Sequence, residues 1–207
     1  FAVTEPAVLV STSTMVMVNC NGGSDGTATA VPTGGTSPYT YLWNDPSAQT
    51  TVTATGLSAS SYSCTVTDAN GCSVSTTITV TEPSVSLSAS STQTNVNCNA
   101  GSDGTATAAG AAGTAGYTYS WNTNPVQTTA QATGLAAGTY VCTVTDANGC
   151  VVTTSATITQ PAAALSASNT TSSYNGVGVS CNGASDGTAT AAGANGTAGY
   201  NYSWNTN

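Results

Sequence analysis

The side chains able to do covalent or ionic chemistry are few: seven Cys, eight Asp or Glu, and no Lys, Arg or His among 207 residues. A cysteine nucleophile needs a nearby base, and acid–base work near neutral pH most often falls to His. With neither a His nor a Lys present, the thiols read as structural. Thiols at this density point to an oxidising, extracellular setting.

The acids recur in two contexts. Asp25, Asp103 and Asp186 sit in SDG, and Asp68 and Asp146 in TDANG. Asp in such stretches caps turns by accepting nearby backbone N–H groups. No metal is expected on that reading; the alternative is calcium, a hard cation that accepts carboxylate and carbonyl oxygens, with Asp68, Asn70, Asp146 and Asn148 as the candidate ligands. No other cofactor is expected. A glycoside-cleaving pair needs two carboxyls about 5–10 Å apart across a cleft, and such a pair in every unit of a small repeat is not expected. The chain is expected to be no enzyme.

The missing basic side chains exclude more. Nucleic-acid binding draws on Lys and Arg to displace counterions from phosphates, and a chain of net charge -8 is repelled by anionic membrane surfaces. No apolar run approaches the roughly 18 residues of a spanning helix, so neither nucleic-acid binding nor membrane insertion is expected.

The chemistry-bearing residues recur with the strongest feature of the chain, an internal repeat. NCNGGSDGTATA from Asn19 returns as NCNAGSDGTATA from Asn97 and SCNGASDGTATA from Ser180. Cys20 to Cys98, Trp43 to Trp121 and Cys72 to Cys150 are each 78 residues apart; the third copy shifts by five more, near Tyr174–Gly178. Pro6, Pro83 and Pro161 mark seams in the contexts TEP, TEP and TQP. The expected organisation is the end of a preceding module (1–6), repeat 1 (7–83), repeat 2 (84–161), and the first half of repeat 3 (162–207), a window on a longer array.

Each repeat reads as all-β, with period-2 alternation and no helical stripe. Strands are expected over Val8–Val18, Thr27–Val31, Tyr39–Trp43, Thr50–Ala54, Ser61–Thr67 and Cys72–Thr81. The last two form a hairpin, with a two-residue turn at Ala69–Asn70 that places Cys64 opposite Ser75. Short strands at this spacing suit a two-sheet sandwich. The fold class is therefore tandem small immunoglobulin-like β-sandwich modules in a linear array. The core aromatics are Tyr39, Tyr41, Trp43 and Tyr62, then Tyr117, Tyr119, Trp121 and Tyr140, then Tyr200, Tyr202 and Trp204.

A repeat of fewer than 80 residues with an Ala-rich core needs a staple. Two pairings are open. Cys20–Cys72, with Cys98–Cys150, joins partners that both sit at strand ends beside turns; Cys20–Cys64 is the rival, because Cys64 shares a face with Tyr62 and Val66. On the first, Cys64 and Cys142 are buried thiols outside the bridges, and Cys181 takes a partner outside the chain. Closing such a loop contributes about 4 kcal/mol.

The combination of NCNGGSDGTATA, SPYTYLWN, YSCTVTDANGC and an ITVTEP seam resembles the SprB repeat of giant Bacteroidota cell-surface adhesins, and the likeness covers nearly the whole chain. It implies export by the type IX route, a place on the outer surface, and a filament serving attachment or gliding. It also implies the pair matching Cys20 and Cys72, while Cys64 and Cys142 depart from the family pattern. The expected partners are neighbouring modules and identical chains, with surface glycans or a substratum beyond them. The alternatives are a filament or sheath subunit joined by non-covalent strand exchange, and an array of carbohydrate-binding modules.

Overall fold

The computed structural model describes residues 4–196 and 198–205; Phe1–Val3 of the expected preceding-module segment, and Thr197, Thr206 and Asn207 of the third repeat, lie outside them. The described residues form fourteen strands and no helix. Repeat 1 contributes β1 (Val10–Val16), β2 (Gly26–Thr33), β3 (Thr40–Trp43), β4 (Thr53–Leu57), β5 (Ser60–Thr67) and β6 (Ser73–Val80). They pair as two antiparallel sheets, β1-β2-β4 and β3-β5-β6.

The alternation seen in sequence is what the two sheets bury. Ala28 and Ala30 of β2 and Ala54 and Leu57 of β4 face Trp43 of β3, Tyr62, Cys64 and Val66 of β5 and Val80 of β6 in one core. Small side chains on one sheet leave room for a large indole on the other, and the buried Trp43 Nε1–H finds the Thr51 carbonyl at 3.0 Å. The sheets meet at one edge, where Val18 N–H donates to Thr81 O and Thr76 Oγ1 donates to Ser13 Oγ. The Tyr62 hydroxyl donates to Ser58 O at 3.1 Å, four residues upstream and two before Cys64, as the corner tyrosine of immunoglobulin-type sandwiches does.

The β5–β6 hairpin corrects the expected register by one residue. Cys64 faces Thr76, not Ser75. Asp68 N–H donates to Cys72 O and Gly71 N–H to Asp68 O, so the loop is the three residues Ala69–Gly71. Gly71, at φ +83°, supplies the left-handed residue such a loop requires.

Repeat 2 follows the same order with β7 (Ser88–Thr94), β8 (Gly104–Ala111), β9 (Thr118–Trp121), β10 (Gln131–Leu135), β11 (Gly138–Thr145) and β12 (Val151–Ile158), paired β10-β8-β7 and β12-β11-β9. Repeat 3 has β13 (Ser166–Thr171) and β14 (Ala189–Ala194), one antiparallel pair.

Two compact units cut across the sequence repeats. The first is Phe1–Ala89 with Ala109–Tyr119 and Thr143–Thr153; the second is Ser90–Ala108, Ser120–Cys142 and Thr154–Asn207. The first therefore holds the seam at Pro83, and the second the seam at Pro161. In the second, Val96, Ala106, Ala108, Trp121, Ala132, Leu135, Cys142, Ala156 and Ile158 are buried.

Candidate functional site at the repeat seam

The repeated motifs of the sequence meet at the seams. The loop after β1 is built by its own residues. Gly23 N–H donates to Cys20 O, Asn19 N–H donates to Asp25 Oδ1 at 3.0 Å, and Asn19 Nδ2 donates to Asp25 Oδ2. Asp25 thus braces the Asn-Cys-Asn loop, as Asp103 does for Asn97 and Asp186 for Ser180. The N–H groups of Asn97 hold the Asp103 carboxyl below the usual carboxylate range, and Ser180 does the same for Asp186.

The hairpin tip is built around the other repeated Asp. Asp146 accepts the N–H of Thr114 on one oxygen and those of Asn148 and Cys150 on the other, all at 2.9 Å. Asp68 does the same with Thr36, Asn70 and Cys72. The Thr36 amide first, with those of Cys72 and Asn70, lowers the Asp68 pKa; Thr114 leads the same set at Asp146. The carboxylates named as calcium candidates are thus engaged by backbone donors. Asn70 Nδ2 donates to Thr36 Oγ1 and Asn148 Nδ2 to Asn19 O. Among the described residues no group of three or more His, Cys, Asp or Glu is arranged to hold a metal ion.

In the first unit, loop and tip come together. Cys20 is bonded to Cys150, with Cα atoms 5.7 Å apart. Around the bond, Asn21 Nδ2 donates to Pro83 O at 2.9 Å, Ser86 Oγ donates to Asn21 Oδ1, and Gly22 N–H donates to Glu82. In the second unit the clamp recurs, with Asn99 Nδ2 on Pro161 O at 2.8 Å and Ala100 N–H on Gln160 Oε1 at 2.9 Å. Gln160 takes the place of Glu82 because its amide oxygen accepts the equivalent backbone N–H.

This pairing corrects the expected Cys20–Cys72 and Cys98–Cys150 bridges. Cys72 and Cys98 are exposed and outside any disulfide. Cys72 immediately precedes β6, whose eight residues run to Val80, while the Cys20 loop lies against Glu82 and Pro83 at the far end of that strand. Eight extended residues span roughly 26 Å, and a disulfide allows Cα atoms no more than about 7 Å apart. Both cysteines lie beside turns, but at opposite ends of the sandwich. The rival Cys20–Cys64 pairing fails as well, since Cys20 is already bonded and Cys64 lies in the core.

Cys64 and Cys142 are fully buried, and burial pushes both thiols up. Cys181 is exposed and unbridged. Of the expected core aromatics, Trp43, Tyr62 and Trp121 are buried, and Tyr39, Tyr41, Tyr117, Tyr119, Tyr140 and Tyr200 are half-buried. Tyr202 and Trp204 are not core: they are 49% and 52% exposed. In repeat 1 the equivalent Trp43 is packed in the core between side chains of both sheets, with Tyr41 against that core, whereas the described residues of repeat 3 form only the pair β13 and β14.

Sequence reasoning missed the clamp residues Asn21, Asn99, Glu82 and Gln160. Their signal was available, since NCN and TEP or TQP recur together, but nothing local says that one motif binds the other. Asp45 was missed as well: it is buried and accepts the N–H groups of Ser47 and Gln49, a turn-capping task that Thr123 Oγ1 performs for Gln127 in repeat 2.

No curated protein matches the chain. Among solved structures, the amphioxus IgVJ-C2 molecule is 15% identical, with 72% of this chain and 97% of that one covered and a TM-score of 0.31. A tetra-tandem repeat from the extending region of a large adhesion protein is 14% identical, over 80% of this chain and 52% of that one, at a TM-score of 0.26. Murine CEACAM1b is 13% identical, over 74% and 100%, at 0.28. The model of the SprB repeat matches residues 12–48, 90–126 and 174–207, just over half of the chain and each segment holding one Asn/Ser-Cys-Asn loop, so the chain belongs to the SprB repeat family.

Proposed function

We propose that this chain is a non-catalytic structural repeat region of a long extracellular adhesin or surface filament, in which load passes from one repeat to the next through stiffened seams. The observation that carries the reading is the seam itself. The same loop clamps the same proline carbonyl in both units, and at Pro83 a disulfide joins loop to hairpin tip as well. A covalent cross-link beside the linker is of use to a chain that is pulled, and a disulfide suits a location outside the cytoplasm.

The remaining chemistry supports the same reading. The repeated carboxylates accept backbone amides in turns, which leaves them poorly placed as an acid–base pair. Trp43 and Trp121 lie in the core and present no face to a sugar ring, which disfavours the carbohydrate-binding alternative. Attachment or gliding is the role we assign to the whole filament.

The test is attachment of producing cells under flow. Cells carrying Cys20→Ser with Cys150→Ser should attach at rest and detach at lower shear than the parent. Equal retention at every shear rate would reject load-bearing by the seam. Failure of an impermeant thiol reagent to label the reduced protein on intact cells would reject the surface location.

A further inference from the structure

We propose that Asn21–Gly22 is a self-modification site. The Gly22 amide nitrogen attacks the Asn21 side-chain amide, ammonia leaves, and water opens the resulting cyclic imide to aspartate or isoaspartate. Three contacts meet on the reacting groups. The N–H of Gly22, the nucleophile, donates to Glu82 Oε2 at 2.5 Å. Asn21 Oδ1, where negative charge develops as the ring closes, accepts from Ser86 Oγ at 2.6 Å. Asn21 Nδ2, the leaving group, donates to Pro83 O at 2.9 Å. A carboxylate within hydrogen-bond reach of the proton to be removed is placed as a general base, and a hydroxyl aimed at the developing oxyanion stabilises it. Gly22 is exposed, and a Cβ built on it would meet nothing within 4 Å, so the nitrogen is unhindered and the imide open to water.

The rest of the chain supplies the contrast. The hairpin tips carry the same dipeptide at Asn70–Gly71 and Asn148–Gly149. There the Gly71 N–H donates to the backbone oxygen of Asp68 and the Gly149 N–H to that of Asp146, and a peptide carbonyl is far too weak a base to take the proton. At the Pro161 seam the clamp is kept and the chemistry is gone. Ala100 follows Asn99, Gln160 Oε1 accepts the Ala100 N–H at 2.9 Å, and Ala164 stands where repeat 1 has Ser86. Ala100 takes the same left-handed turn, at φ +59° against +75° for Gly22, so the clamp itself requires neither Glu82 nor Ser86.

Glu82 takes the Gly22 proton as the bond from that nitrogen to Asn21 Cγ forms. It returns the proton to Nδ2 as the Cγ–Nδ2 bond breaks, and ammonia departs. One solvent water then adds its hydroxyl to either imide carbonyl and its proton to the nitrogen released. Either product exchanges the Nδ2 donor for a negatively charged carboxylate beside Glu82, so Pro83 O loses its partner and the clamp opens at that seam alone. The reaction goes beyond the adhesin reading and does not depend on it.

The purified full chain is held at neutral pH, sampled over days, then reduced, cut at aromatic residues and read by mass spectrometry. The peptide holding Asn21 should lose the mass of ammonia and then gain that of water, while Asn70 and Asn148 keep their amides. Glu82→Gln keeps an acceptor, as Gln160 does, but removes the base, and should slow the conversion about a hundredfold. Ser86→Ala should slow it by a smaller factor. Unfolding the reduced parent in urea should bring Asn21 to the rate of Asn70 and Asn148, because the contacts and not the dipeptide set the difference. An Asn21 that keeps its amide as long as Asn70 and Asn148 do would overturn the proposal. So would a Glu82→Gln chain that converts at the parent rate, or a difference between the sites that survives in urea.

Discussion

Replacing Cys20 and Cys150 together by Ser tests whether the seam couples the repeats thermodynamically. The bond closes a loop across a sequence separation of 130. In the chain-entropy treatment a loop of this size limits the unfolded state by about 5 kcal/mol. That full value applies only if repeats 1 and 2 unfold as one cooperative body; if either melts alone, the loop is not fully released and the bond contributes far less. With an unfolding slope of about 2 kcal/mol per molar urea for some 150 residues, the double variant should lose about 2.5 M in its midpoint. The assay is urea unfolding followed by emission of Trp43 and Trp121, one buried indole in each repeat. Cys72→Ser, which removes a thiol outside any disulfide, is the control and should leave the midpoint in place. A shift below about 0.5 M, or one matched by the control, would refute the coupling argued from loop entropy.

Acid should unfold the repeats through the hairpin tips. Asp68 and Asp146 are held below their ordinary pKa, so the stability they contribute is present above the unfolded value of about 3.9 and is lost as pH falls through the lower folded value. Asp68→Asn with Asp146→Asn should flatten that acid limb in a circular-dichroism titration; an unchanged limb would show that other groups set it. Gly26→Ala should destabilise repeat 1 by about 1–3 kcal/mol, because a Cβ there would stand 2.7 Å from Val80 Cγ1 and 2.8 Å from Leu57 O. Gly71→Ala is strained differently, by φ +83° with open space around it, so its cost should appear without any loss of core packing by near-ultraviolet dichroism. Calcium should leave the Tm unchanged, since the Asp68 and Asp146 carboxylates are engaged by amides; a rise with added calcium that chelator reverses would show a site there.

What the sequence determined by itself was whatever depends on short stretches of chain. The 78-residue spacing, the six strands of a repeat and the inward faces of β2 and β5 were legible because side-chain alternation and turn chemistry are local. So was the turn role of the SDG and TDANG acids toward partners within a few residues, whereas the Thr36 and Thr114 amides, 32 residues from Asp68 and Asp146, are brought there by the fold. Even there a single residue mattered: whether two or three residues form the loop before Cys72 shifts the whole β5–β6 register by one, and only the closed hydrogen bond from Asp68 to Cys72 decides it. Cysteine pairing depended on tertiary structure altogether. Cys20 and Cys72 look alike in sequence, each at a strand end beside a turn, but β6 carries them to opposite ends of the sandwich. Which end of one repeat meets which end of the next is set by the linker clamped on Asn21, and that meeting brings Cys20 to Cys150. A repeat reveals its contents to a reader of sequence, whereas its bonds to its neighbours depend on how rigid bodies stack, a matter of distance in space that spacing along the chain does not encode.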